Sequence, residues 1–386
     1  MHTLSRSLRR GIALMASRPI YLFMMVVVPV ATAFFFLNLM NEGLPLKVPV
    51  AMVDTDHSAL SRKMGRSLDA SPLTDITVEL EDYHQAVNKV RSGEIFGFFY
   101  IPSGFQEDAL SGRTPTLSFY SNMSIFVPGT LAYKGFKTIA VTTSGGIVQT
   151  TLAGVGLGDQ ATQSLVMPLA MDYHLLGNPC SNYNIYLSQS FLAAMMALVA
   201  MVMTVFSIGY EIKWSTSPAW LDTAGGSMAV ALAGKLLPQT FLLSGVGVAI
   251  QAVMFCWLGF PLNCSPLTMI LAMILLVTAS QAFGVIVMEA LPNLRLGLIV
   301  VSLVGILSFS IAGFSFPVDK MYGSIAIFSF IMPIRYYFLI YIDQALNGIP
   351  LYYSRFYFIA LLIFLLLPLI GLKRLRGKCL HPVYVP

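Results

Sequence analysis

Charge is scarce in this 386-residue chain, where Asp, Glu, Lys and Arg make up 11% of the residues against 56% apolar ones. A soluble domain carries about a quarter charged residues, so a fully soluble enzyme and an intrinsically disordered chain are both excluded. Cysteine is scarce too: Cys180, Cys256, Cys264 and Cys379 form no CxxC pair and show no metal-like spacing to the five histidines. That excludes a small disulfide scaffold and leaves no zinc signature. A phosphate loop is also lacking, because at Gly234-Lys235 the next residue is Leu236 rather than Ser or Thr, and Ala229 stands where the first glycine belongs. There is no HExxH, no Ser-His-Asp order and no Cys-His set, and Asp54 with Asp56 read as turn caps rather than acid-base groups. No catalytic, cofactor-binding or metal site is expected in this chain.

What the sequence has in abundance is long apolar runs, with a mean hydropathy of +0.74. The first, Ile20 to Leu37, is 18 residues without a charge, long enough to cross a bilayer and longer than the 7 to 15 residues of a secretory core. Others follow near 187–209, 236–258, 267–288, 296–316 and 356–372. None carries a charge deep in its middle, which argues against a proton- or sodium-driven secondary transporter.

The net charge of +5 does not point to nucleic acid, because the positive excess sits at the two ends. Arg6, Arg9, Arg10 and Arg18 precede the first run and Lys373, Arg374, Arg376 and Lys378 follow the last, while residues 41–185 hold nine basic against thirteen acidic side chains. Both termini therefore read as cytoplasmic, which agrees with an even number of spans. The expected fold is a polytopic α-helical membrane protein with six transmembrane helices and an inserted extracytoplasmic mixed α/β domain. Residues 1–18 form a cytoplasmic amphipathic interfacial helix, with Leu4, Leu8, Ile12 and Met15 on one face. The first span covers 19–40, the α/β domain 41–185, the other five spans 186–372, and a basic tail 373–386.

Within 41–185 the pattern alternates. Strands are expected at Val48–Val53, Ile76–Leu80, Ile95–Ile101 and Thr116–Tyr120, with helices at Leu60–Asp69, Asp82–Arg91 and Ser103–Leu110, then helices over 128–165 interrupted at Gly154–Gly158 and a strand at Val166–Leu176. The inner loop 210–234 mixes Trp214 and Trp220 with Glu211 and Lys213, the composition of a docking patch. Residues 317–334 hold an apolar piece too short to cross and bracketed by prolines, suited to a re-entrant segment. Cys180 and Cys264 both fall near the outer face, which leaves a disulfide between them and two unpaired thiols as alternatives.

Several strings, taken in order, are similar to a known family. These are PVAMVDTDHSALSRKMGRSLDASP (49–72), SGEIFGFFYIPSGFQEDALSG (92–112), LLGNP (175–179), YEIKWST (210–216), GKLLP (234–238), SIAGFSFPVDKM (310–321) and MPIRYYFLIYIDQALNG (332–348). Together they resemble the type-2 permeases of ABC exporters, in the branch with a large periplasmic domain after the first span. The resemblance implies a membrane subunit, not an enzyme, that moves an amphiphilic or hydrophobic substrate out of the cytoplasm or inner leaflet of a bacterial inner membrane. It implies two separate ATPase subunits that hold ATP and Mg, a second permease chain, identical or related, and in some members a periplasmic adaptor and an outer-membrane channel. By position it assigns ATPase coupling to Leu4, Leu8, Ile12, Glu211, Lys213, Thr216, Trp220 and Leu221, and the exit to Phe314, Phe316, Pro317, Met332 and Pro333. Ser215 and Thr216 stand where that family often has glycine. The competing reading from the residues is a membrane-anchored sensor or assembly scaffold with a ligand-binding periplasmic domain.

Overall fold

The computed structural model describes residues 2–41, 43, 45–111, 113–154, 177–178 and 182–382. The chain divides into two compact units, Leu44–His174 and the remainder, Met1–Gly43 with Leu175–Pro386.

Helix α1 (His2–Ser17) leads to the apolar helix α2 (Pro19–Leu39). Arg18 between them is extended (φ −123°, ψ 112°), because the ring of a following proline disfavours helical backbone, and Pro19 then opens α2, where its missing N–H costs nothing.

The second unit carries β1 (Val48–Asp54), α3 (Ala59–Asp69), β2 (Thr74–Leu80), α4 (Tyr83–Ser92), β3 (Gly97–Ile101), α5 (Phe105–Leu110), β4 (Ser118–Ser121) and α6 (Phe126–Gly154). Its four strands lie in the order β2-β1-β3-β4, the first three parallel and β4 antiparallel to β3. A central parallel strand is covered on both faces, which explains the nearly unbroken apolar run of β1. Val50 and Met52 point with Phe99 and Ile101 toward α3 and α6, and Ala51 and Val53 point with Phe98 toward α4. Helix starts follow local capping: Ser58 accepts from the Ser61 N–H, and the Asp82 carboxylate accepts from the His84 and Gln85 N–H groups. Asp54 accepts from the N–H groups of Asp56 and His57, and Asp56 from that of Gln106, so both carboxylates fasten turns. The strand expected at 166–176 and the break expected at 154–158 lie outside the described residues, apart from Gly154, which ends α6.

The membrane unit continues with α7 (Asn184–Lys213), α8 (Ser217–Thr223), α9 (Met228–Trp257), α10 (Pro266–Ala290), α11 (Leu294–Ile311), α12 (Gly323–Phe330), α13 (Pro333–Leu346), α14 (Leu351–Ile370) and α15 (Leu372–Leu380). Among the described residues six helices are long and apolar enough to cross a membrane: α2, α7, α9, α10, α11 and α14. The apolar windows of α7 and α10 are 78% and 61% buried, against a third or less for the other four, so these two form the axis of the bundle. Ala193, Ala194, Ala197 and Ala200 on α7 are buried, small side chains that let neighbouring backbones approach. The segment 210–234 is more helical than a loop, since α7 continues to Lys213 and α9 already begins at Met228. A turn with Gly225 and Gly226 at positive φ (65° and 76°) connects α8 to α9.

Helices α12 and α13 are bent by 80° at Ile331-Met332. Pro333 is the cause: it makes Met332 extended (φ −92°, ψ 116°) and takes the N1 position of α13.

A buried charge knot as candidate functional site

The end of the membrane unit that carries both chain termini gathers five segments around one ionic cluster. Helix α1 contributes first. Its buried positions are Ser7 and Gly11, one turn apart, and they meet Gly234 of α9 so closely that a Cβ on Gly11 would collide with the Gly234 carbonyl. The Ser7 hydroxyl donates to the Val230 carbonyl at 3.4 Å. This small-residue contact places the neighbouring Arg10 over the last turn of α7.

There the Arg10 guanidinium donates to both carboxylate oxygens of Glu211, at 3.2 and 3.0 Å. Glu211 also accepts from the ammonium of Lys235 at 2.8 Å and from the Thr216 hydroxyl. The side chains of Glu211 and Lys235 are 4% and 5% exposed, so this is a desolvated ion pair, whereas Arg10 keeps 22% exposure. An ammonium has three donors. Lys235 spends one on Glu211 and one on the Ser207 carbonyl at 3.0 Å, and its nitrogen lies 4.0 Å from the centre of the Trp220 ring. Trp220 is fixed in turn by its indole N–H on the Ala231 carbonyl at 3.3 Å. From the opposite side Ser217 donates to the Cys379 carbonyl at 2.7 Å, which docks α15 onto α8.

The arrangement works as a joint. Removing either charge of a buried pair leaves the other uncompensated, at a cost of about 3–5 kcal/mol, so α7, α8, α9 and α1 are held in one register. The turn that enters α8 is itself strained: Ser215 has φ 54°, a left-handed conformation that favours glycine.

The structure brings Glu211, Thr216, Trp220 and Leu221 together here, Leu221 fully buried and Thr216 exposed. Lys213 lies on the exposed side with its ammonium 5.8 Å from the Trp214 ring. Leu4 and Ile12 are exposed, Leu8 is half-buried and Met15 packs partly buried against the core, so the apolar stripe of α1 runs beside the contact made by Ser7 and Gly11 and is only partly covered. The sequence marks Arg10 only as a topology signal and Lys235 only as part of a failed phosphate loop, although Ser7-xxx-Gly11 and Gly234 carry the small-residue spacing of a close helix contact. At the other end of the bundle Phe314, Met332 and Pro333 are buried, Phe314 with its ring 5.5 Å from that of Phe338, while Phe316 and Pro317 are exposed. Cys264 is half-buried, and Cys180 lies outside the described residues.

A comparison with protein families matches residues 19–372 to the family described as ABC-2 family transporter protein. None of the curated proteins compared matches the chain. The matched stretch takes in all six candidate spans and the joint between α7 and α9. Membership follows from that coverage: the chain belongs to the ABC-2 transporter family, as a multi-pass membrane permease.

Proposed function

We propose that this chain is the membrane subunit of an ATP-driven exporter for an amphiphilic or hydrophobic substrate, with the energy supplied by two separate ATPase subunits. The end carrying both termini faces the cytoplasm and receives those subunits through α1 and α8, and residues 41–185 are extracytoplasmic in a bacterial inner membrane. A second permease chain completes the path, and the α/β unit is the surface for an adaptor leading to an outer-membrane channel. The observation that carries this reading is the desolvated Arg10–Glu211–Lys235 knot, which couples a short surface helix directly to two membrane helices. A force on α8 moves Trp220, and through Lys235 moves α7 and α9 together. ATP binding in the partners would then favour one arrangement of the spans over another, the requirement for alternating access.

Purification from the native membrane tests the pairing, since an ATPase is expected to accompany the chain and purified permease alone is expected to turn over no ATP. Vesicles containing this chain alone that accumulated substrate against a gradient would refute the reading.

A further inference from the structure

At the end of the bundle away from the termini, a cavity of about 550 Å³ opens between the residues after α11 and the bent pair α12–α13. Most of its wall is apolar, including Phe330, Phe338, Leu339 and Ile342. Into this wall comes one cation, Arg335, in the first turn of α13. Its guanidinium lies 4.8 Å from the centre of the Phe330 ring, and one terminal nitrogen makes a long contact of 3.4 Å to the Ala312 carbonyl. Its Nε is buried and has no hydrogen-bond partner among the described residues.

A guanidinium has five N–H donors. Arg335 is half-buried: one terminal nitrogen reaches only the long Ala312 contact and the buried Nε has no partner among the described residues, so the side chain keeps donors on the cavity side that an anionic group would complete. The N-terminal end of α13 adds positive potential at the same place. Asp319 also lines the cavity, but its side chain is 73% exposed and 3.6 Å from Lys320, so it sits at the rim and leaves Arg335 unpaired.

We propose that this cavity binds the anionic head group, phosphate or carboxylate, of an amphiphile, with Arg335 gripping the oxygens and the acyl part lying along Phe338, Leu339 and Ile342. Planar guanidinium matches either oxyanion through two parallel hydrogen bonds, and the apolar wall admits a chain that free anions lack. That this site lies on the route of an exported amphiphile rests on the permease reading above. The binding itself does not, and its test contains no ATPase, so either can fail alone.

The purified full-length chain is placed in nanodiscs of equimolar phosphatidylglycerol and phosphatidylcholine, and the lipids it retains in detergent are counted by native mass spectrometry. The wild type is expected to retain phosphatidylglycerol roughly tenfold over phosphatidylcholine, as one charge-assisted contact allows. Arg335→Gln is expected to abolish that preference and Arg335→Lys to keep part of it. Ala326→Phe, which fills the cavity and leaves Arg335 in place, is expected to lower retention as well, and guards against Arg335→Gln failing to fold. Unchanged preference in a folded Arg335→Gln or in Ala326→Phe overturns the site. Loss of the preference in excess inorganic phosphate would reassign it to free anions and overturn the amphiphile.

Discussion

Replacing Lys235 by Met is the most direct trial of the buried joint. The side chain is 5% exposed and pairs with a carboxylate that is 4% exposed, so water cannot replace the lost ammonium without opening the contact between α7 and α9. Breaking a buried pair of this kind costs about 3–5 kcal/mol. The lower end applies here, because Glu211 keeps Arg10 at 3.0 Å and the Thr216 hydroxyl. Glu211→Gln removes the shared anion and leaves two cations facing each other, which places it at the upper end. Glu211→Leu combined with Lys235→Met removes both desolvated charges and is expected to recover most of the loss, since a well-packed apolar replacement of an ion pair is often neutral. Denaturant unfolding in detergent, followed through tryptophan fluorescence, gives the three values. Under the proposed function, ATPase activity of the co-purified complex separates stability from coupling: the double variant is expected to fold and yet fail to couple. A loss below about 1 kcal/mol for Lys235→Met, the range of exposed pairs, would mean the site is solvated and would refute the reasoning.

Other perturbations probe the surroundings. Ser215→Gly is expected to stabilise the chain by up to about 1 kcal/mol in the same unfolding assay, because φ 54° strains any residue with a Cβ, while Ser215→Val is expected to destabilise it. Gly234→Val puts a branched side chain against Ser7 and is expected to cost about 1–3 kcal/mol, read as faster tryptic cleavage after Arg9 and Arg10 when α1 lifts away. In the α/β unit, burial opposes the charge of Asp56, but hydrogen bonds from Ser58, Gln106, Gly104 and Phe105 outweigh it and hold the carboxyl below the usual range. Its stabilising contribution is therefore complete above a pH of about 4 and is lost as pH falls through the lower folded value, so Asp56→Asn should flatten the acid limb of hydrogen-exchange protection in β3. Burial pushes the Cys379 thiol up to about 12, so it should alkylate far more slowly than exposed Cys256, and Ser217→Ala should speed it by loosening α15.

The parts of this fold that depend on neighbours in sequence are legible in it. Ser58 and Asp82 announce their helices through caps two and three residues long, and β1 shows its burial on both faces as an unbroken apolar run. The spans announce themselves by length. What sequence windows hide is pairing across distance. Glu211 and Lys235 look like the ends of apolar runs because each interrupts hydropathy, yet helices α7 and α9 continue through them since each charge is cancelled by the other, 24 positions away. Arg10 likewise reads as a topology signal on the polar face of α1, and its role at Glu211 follows from Ser7 and Gly11 setting the distance to Gly234.

That the joint is ionic rather than apolar has a physical reason. Within a membrane, packed Leu or Met gains little over lipid, because acyl tails are as apolar as those side chains, so apolar contact alone fixes neither the rotation nor the height of one helix against another. Directional contacts do. Gly234 lets α1 touch α9 at one height only, and Arg10 then reaches Glu211 only in that register. Lys235 is held from three directions, by Ser207 and Glu211 of α7 and by the face of Trp220 on α8. A displacement of α8 acts on Lys235 through the Trp220 face. Because Lys235 and Glu211 are a desolvated pair, it moves α7 and α9 as one piece: sliding one past the other would break that pair at a cost of about 3–5 kcal/mol, more than a thermal fluctuation supplies.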